Sequence, residues 1–226
     1  MRLLAALSAA CLCSAAALAE LPGEAAAALT TFRADGARGW AYTQTTVDAG
    51  RKTIERFDPG RPEFVRWTLV EKDGAAPSAP ELQHYRERKA RRVLTAGLPS
   101  LKDQLDLDTA ELLEETPTRW RYRFHVKPGG GDDRAAAHLR ATLTISKAAA
   151  AVETFALENI EPFSPAFFIK IEAMRTVMTY SLPTAVEPSH LLRVEAHVRG
   201  RAVLKSLEQD VVVTYSDFEQ ARIRKE

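Results

Sequence analysis

Five histidines, His84, His125, His138, His190 and His197, are the side chains of this sequence that could bind a metal or move a proton near neutral pH. None stands in an H-x-H or H-E-x-x-H pattern, the spacings that bring two imidazoles to one face of a strand or helix. His84 and Glu87 share a helix face at i,i+3 and could offer two ligands, but that spacing recurs by chance. His125 and His197 each fall on the polar side of an alternating run, where a solvated imidazole is the plainer reading. Asp132-Asp133, beside three glycines, and the pair Asp106 and Asp108 could hold a cation or act as acid and base; as readily they are solvated acidic loops. Nucleophile motifs of the G-x-S-x-G or S-x-x-K type do not occur. Gly129 to Gly131 precedes two acids, not a lysine and a helix, so it does not form a phosphate cradle. The residues therefore predict no catalysis, no metal and no cofactor. A hydrolase would require His125, His138, Asp132 and Asp133 to converge in space.

The compartment is easier to read. Arg2 is followed by an uncharged, small-residue and apolar run from Leu3 to Leu18, and Ala17-Leu18-Ala19 forms an A-x-A site before Glu20. This predicts a secretory signal peptide over residues 1–19, cleaved after Ala19, and a periplasmic protein. A transmembrane anchor would need roughly 20 apolar residues. Acylation at Cys11 would require a Leu-like residue where Ser8 stands. Cys11 and Cys13 are the two cysteines and both lie in the leader, so the exported part has neither disulfide nor thiol and depends on its core. With 226 residues, 46% hydrophobic and 27% charged, the chain can bury one good core, which predicts a single domain over residues 20–226. A net charge of +1 is unlike that of a dedicated nucleic-acid binder.

The elements follow from a repeated pattern, clearest in Arg119 to Lys127. Trp120, Tyr122, Phe124 and Val126 alternate with Arg119, Arg121, Arg123, His125 and Lys127. As a strand this has one apolar and one cationic face; as a helix it would scatter both. We expect this strand to be central, with its cationic side on the convex surface. Runs of the same kind occur over Trp40–Val47, Arg51–Phe57, Phe64–Glu71, His138–Ile145, Val152–Ile160, Ile169–Leu182, Leu191–Val198, Ala202–Leu207 and Val211–Phe218. Leu101–Asp106 reads as loop or short helix and Glu111–Glu115 as a strand; Phe163–Phe168 reads as a Pro-broken aromatic loop, and Gly200 as a turn. About ten strands joined by hairpin-length connections predict a mainly β fold with some α: a strongly curved antiparallel sheet, a half-barrel, carrying one or two helices on its concave face.

Two helices are expected. One is the Ala-rich segment Pro22–Arg33. The other runs from about Ala79 to Leu94 behind the capping box Ser78-Ala79-Pro80-Glu81. Its apolar stripe is thin, Leu82, Tyr85, Ala90 and Val93, and Arg86, Arg88, Lys89, Arg91 and Arg92 make it basic. Such a face either docks an acidic partner or anionic lipid, or is a solvated surface with Glu87–Arg91 as an i,i+4 pair. A helix with so thin a stripe leaves much of the concave face uncovered. The inward aromatics Trp40, Tyr42, Trp67, Trp120, Tyr122 and Phe124, with Leu69, then line a pocket for an apolar ligand, and Phe163, Phe167 and Phe168 its mouth. The alternative is that they are all core.

Several short motifs resemble one known family. Gln44-Thr45 in the first strand, the turn at Gly50, the segment Arg61-Pro62-Glu63-Phe64-Val65-Arg66-Trp67 and the closing Thr214-Tyr215-Ser216-Asp217-Phe218 resemble the periplasmic lipoprotein carriers (LolA-like), with sigma-factor regulators (RseB-like) as sensor relatives. The resemblance implies an unclosed half-barrel that carries lipoprotein acyl chains, a role in outer-membrane biogenesis, and an arginine at Arg61 linked to opening and release. At Val65 the family has an aromatic residue, and the basic helix after the third strand is a further departure. The expected function is thus non-enzymatic binding of a lipid, acyl chain or lipoprotein, with at most peripheral membrane contact and no nucleic acid. The alternative is an envelope module that docks a protein partner through the basic helix.

Overall fold

The computed structural model describes residues 21–93, 104–129, 135–203 and 205–221. The expected signal segment and Asp132-Asp133 lie outside these residues, as do the side chains of Arg91 and Arg92.

Helix α1 (Gly23–Thr31) is followed by strands β1 (Trp40–Asp48), β2 (Arg51–Phe57) and β3 (Trp67–Lys72), then helix α2 (Ala79–Val93). Strands β4 (Leu105–Glu115), β5 (Arg119–Val126), β6 (Leu139–Ser146), β7 (Ala151–Asn159), β8 (Phe163–Ala166), β9 (Ile169–Tyr180), β10 (Leu191–Ala202) and β11 (Lys205–Gln220) complete the chain. All belong to one 11-stranded antiparallel sheet of order β3-β2-β1-β11-β10-β9-β7-β6-β5-β4, with β8 on β9. The sheet is a curved, unclosed half-barrel with two helices, as its alternating runs predict. Its two edges, β3 and β4, are neighbours in the chain, and α2 lies in the connection between them.

Register explains the faces. Cross-strand partners share a face, and the pairings Trp67↔Phe57, Gln44↔Tyr215, Val213↔Val194, Val194↔Met178, Phe155↔Met178, Leu143↔Phe155 and Tyr122↔Leu143 trace one mainly apolar face from edge to edge. Both helices pack on it. The opposite row Asp106–His125–Arg140–Glu158–Arg175–His197–Asp210 lays ionisable side chains across the convex surface, where water screens them. β5 shows the alternation expected of it: Trp120, Tyr122 and Phe124 are buried, while Arg119, Arg121 and His125 are exposed. It lies next to the edge strand β4, however, not at the centre. The centre is β11, β10 and β9, because the N-terminal hairpin joins the sheet beside the last strand.

Three local expectations are corrected. The segment over residues 105–115 is one long strand, bulged where Thr109 Oγ1 turns back to the Asp106 carbonyl at 2.7 Å. Phe163–Ala166 forms a short strand, its pairing to β9 irregular around Pro165. Gly200 lies inside β10, not at a turn: it faces a bulge in β9, where a Cβ would come within 2.2 Å of the Lys170 carbonyl oxygen. The chain turns instead at Val203, and β11 then runs unbroken past Leu207 to Gln220, apart from residue 204 outside its start.

Candidate functional site

The concave face has three parts, differing in what covers them. α1 covers the half made of β4 to β7. Ala25, Ala28 and Leu29 follow an i, i+3, i+4 spacing, and the small alanines bring the helix close onto Trp120, Tyr122, Phe124, Leu143, Ile145 and Phe155. Tyr122 and Phe124 are 1% and 0% exposed, so these expected lining residues are the filled core of the domain. Beyond α1, Phe32 packs edge-on against Tyr180 at 4.9 Å, and the Tyr180 hydroxyl donates to the Ala34 carbonyl at 3.1 Å.

α2 covers the other end, β2 and β3, through a few contacts. Tyr85 is buried, and Leu69 beneath the same end is buried as well. Glu55 on β2 is only 8% exposed. It accepts from Gln44 Nε2 at 3.0 Å and pairs with the Lys89 ammonium at 2.9 Å. The same ammonium lies 3.7 Å from the centre of the Trp67 ring, a cation–π contact. The Tyr85 hydroxyl makes no full hydrogen bond, yet burial first and the nearby Glu55 second push its pKa upward. At the start of α2 the expected capping box is present: the Glu81 carboxylate accepts from the Ser78 N–H at 3.0 Å and its hydroxyl at 2.8 Å, and pairs with Lys72. Lys89 therefore turns into the sheet instead of joining the solvated basic patch, because a nearly buried carboxylate attracts it more than water does. Arg86 and Arg88 are exposed as expected.

Between the helices lies the third part. Met174 and Met178 on β9, Val194, Ala196 and Val198 on β10, and Val211 and Val213 on β11 are all half-buried on the concave face. With Thr176 they form a mainly apolar, half-exposed stretch of the concave face between the two helices, here termed the trough. At one end it meets a ring of aromatics. Tyr42 touches Phe57, Trp67 and Tyr215 with ring centres 5.0, 5.9 and 5.5 Å away. Trp40 stands edge-on to His190 at 4.7 Å, and His190 stacks on Phe218 at 4.2 Å. Trp40, Tyr42, His190, Leu191, Tyr215 and Phe218 enclose a cavity of about 10 Å³, the size of one water. Burial pushes the Tyr42 and Tyr215 hydroxyls up in pKa and the His190 imidazole down. The Nε2 of His190 has no hydrogen-bond partner among the described residues.

The remaining expected residues lie apart from the trough. Arg61 is exposed in the β2–β3 connection, where its guanidinium donates to Thr68 Oγ1 at 3.0 Å and its carbonyl accepts from Arg66. Val65 is exposed in the short turn before β3. Phe163 is buried and stacks on His138, whereas Phe167 and Phe168 are 103% and 61% exposed. On the convex side Thr109, Glu111, Arg123, His125, Arg140, Glu158 and Ile160 line a polar groove of about 250 Å³, and His138 bonds Glu161 at 2.9 Å. No group of three or more His, Cys, Asp or Glu side chains suited to a metal occurs among the described residues. None of their helices is long and apolar enough to cross a membrane.

Sequence reasoning missed Glu55 and the trough residues. Glu55 had a signal, an acid two residues before Phe57 and on the same face of its strand. The trough valines had the alternation too, but which part of the face stays open depends on where α1 lies.

No protein-family model matches the chain, and no curated protein does. A solved structure, an isomerase-inactive variant of GphF DH1, aligns over 89% of this chain and 81% of its own at 12% identity, with a TM-score of 0.18. Similarity that slight assigns neither fold nor activity.

Proposed function

We propose that this chain is an exported, non-enzymatic binding protein that holds a lipid, acyl chain or lipoprotein along the trough of its half-barrel, as a LolA-like carrier does. The observation that carries this reading is the row of half-buried Met174, Met178, Val194, Ala196, Val198, Val211 and Val213, left between two helices that cover the flanks of the same face. Apolar surface in that position gains by being covered, at about 25 cal/mol per Å², and a chain of methylenes suits a face made mainly of valine and methionine, with Thr176 among them. The neighbouring cavity of about 10 Å³ is too small for such a chain, so the ligand lies along the trough. α2 is attached through few contacts, chiefly Tyr85, Lys89 and Glu81. α1, by contrast, is sealed into the core.

Native mass spectrometry and lipid extraction of the protein purified from a bacterial envelope test the reading. Co-purified lipid, or uptake of a fluorescent fatty acid by delipidated protein, supports it; delipidated protein that takes up no acyl probe contradicts it. A second reading, a docking module of the envelope, draws on exposed Arg86 and Arg88 of α2. Neutralising both leaves acyl uptake unchanged under the carrier reading and abolishes partner binding under the second.

A further inference from the structure

The strands at the sheet centre extend past their neighbours. β1 stops at Asp48, opposite Val211, and β7 leaves β9 at the Glu158↔Arg175 pair. The start of β9, the end of β10 and the start of β11 continue beyond these points, with β8 alone alongside. They form a projecting tongue. At its end the β8–β9 turn carries Phe167 and Phe168, and the β10–β11 turn carries Val203, which is 70% exposed. The Val203 N–H donates to the Phe168 carbonyl at 2.7 Å, so the two turns form one tip.

This tip is built, not frayed. Phe163, four residues before Phe167, is buried and stacked on His138 with ring centres 5.3 Å apart and planes 11° off parallel. The Asn159 carboxamide bonds the Glu161 and Glu172 carbonyls and the Met174 N–H at the base of the tongue. On so anchored a base, Phe167 points fully into solvent and Phe168 is 61% exposed. Exposed aromatics on a small convex tip mark a surface meant to be covered. The charges around them fix by what: Lys170, Arg201 and Lys205 are exposed there, and Arg199 and Arg201 share the single carboxylate of Glu172 at 3.9 and 3.3 Å. Aromatic side chains rimmed by cations suit the boundary between headgroups and acyl chains of an anionic bilayer.

We propose that the Phe167–Phe168–Val203 tip is a membrane-docking wedge that rests in the headgroup region of an anionic lipid bilayer, with Lys170, Arg201 and Lys205 on the phosphates. Val198 and Met174, at the root of the tongue, are also the near end of the trough. The tip therefore places the trough's open end at the membrane surface, where an acyl chain leaves or enters lipid. That link rests on the carrier reading; the docking itself does not.

Co-sedimentation of the purified full chain with vesicles tests it, using phosphatidylcholine alone and an equal mixture of phosphatidylglycerol and phosphatidylcholine. The wild type binds the mixed vesicles more tightly, and added salt weakens the binding. The F167S/F168S variant loses at least about tenfold in affinity, because two aromatic insertions are removed. The K170Q/R201Q/K205Q variant falls to the level seen with phosphatidylcholine alone. Absence of wild-type binding to either vesicle, a serine variant that binds like wild type, or a glutamine variant that keeps the preference for anionic vesicles would each overturn the proposal. Uptake of a fluorescent fatty acid from solution, measured on the same variants, stays at the wild-type level; its failure in every protein would count against the carrier reading and leave the vesicle result standing.

Discussion

The Lys89 ammonium and the Glu55 carboxylate stand 2.9 Å apart with their side chains only 19% and 10% exposed, so helix α2 is tied to the sheet by a nearly buried ion pair. Removing one charge from such a pair leaves the other desolvated and uncompensated, at a cost of roughly 3 kcal/mol or more, whereas removing both is far milder. We expect K89M to be strongly destabilised and E55Q/K89M to recover most of the loss. Urea titrations of the wild type, both single variants and the double variant measure the coupling; single-variant effects that simply add would show that the pair does not hold α2.

The two halves of the concave face should respond differently to truncation. Phe124 and Tyr122 are sealed under α1, so F124A costs about 3–5 kcal/mol and Y122A nearly as much. Val213 and Val194 are half-open, so V213S and V194S cost about 1 kcal/mol or less each yet weaken acyl-probe binding. Thermal unfolding and probe titration on the same four proteins check the separation.

Acid should loosen α2 from its start. Hydrogen bonding from Lys72, and then from the Ser78 N–H and hydroxyl, lowers the Glu81 carboxyl to about 2. A carboxyl with a lowered native pKa contributes stability that is complete above its unfolded value, about 4.3, and is lost as pH falls from there through about 2. Amide exchange at the first turn of α2 should rise across that window, and E81Q should show the faster exchange already at neutral pH, with no further response to acid in that range.

His190 should impose a second loss at milder acidity. Burial among Trp40 and Phe218 lowers its pKa, with Glu187 opposing weakly. The folded state therefore holds a neutral imidazole that the unfolded chain protonates near 6.5. Its contribution is complete above that value and declines as pH falls toward the lowered native pKa. H190F should flatten the stability profile on the acid side of about pH 6.5, read by unfolding midpoints across the range.

Much of the fold was legible because alternation is a local signal. Trp120, Tyr122 and Phe124 declare one buried face without reference to any other strand, and the Ser78–Glu81 box declares a helix start. What was not legible depends on distant partners. β5 has the strongest alternation but sits next to an edge, since β1 pairs with β11 across most of the chain. Gly200 looks like a turn residue; its role is to let the Lys170 carbonyl approach, and G200A should cost about 1–3 kcal/mol through that clash. Lys89 looks like one more solvated cation between Arg88 and Arg91, and only Glu55 on a separate strand turns it inward. The candidate site divides the same way. Its aromatic residues were visible, but which of them are core and which border open surface is decided by α1, whose Ala25 and Ala28 gave no hint of the strands they would cover.

Whether the β9–β11 trough holds an apolar chain is decided by titrating delipidated protein with a fluorescent long-chain fatty acid, alongside a V194D/V213D variant shown to be folded by circular dichroism. Saturable uptake at one site by the wild type is expected, and its loss in the variant. No uptake by the wild type, or equal uptake by the folded variant, would contradict binding in the trough.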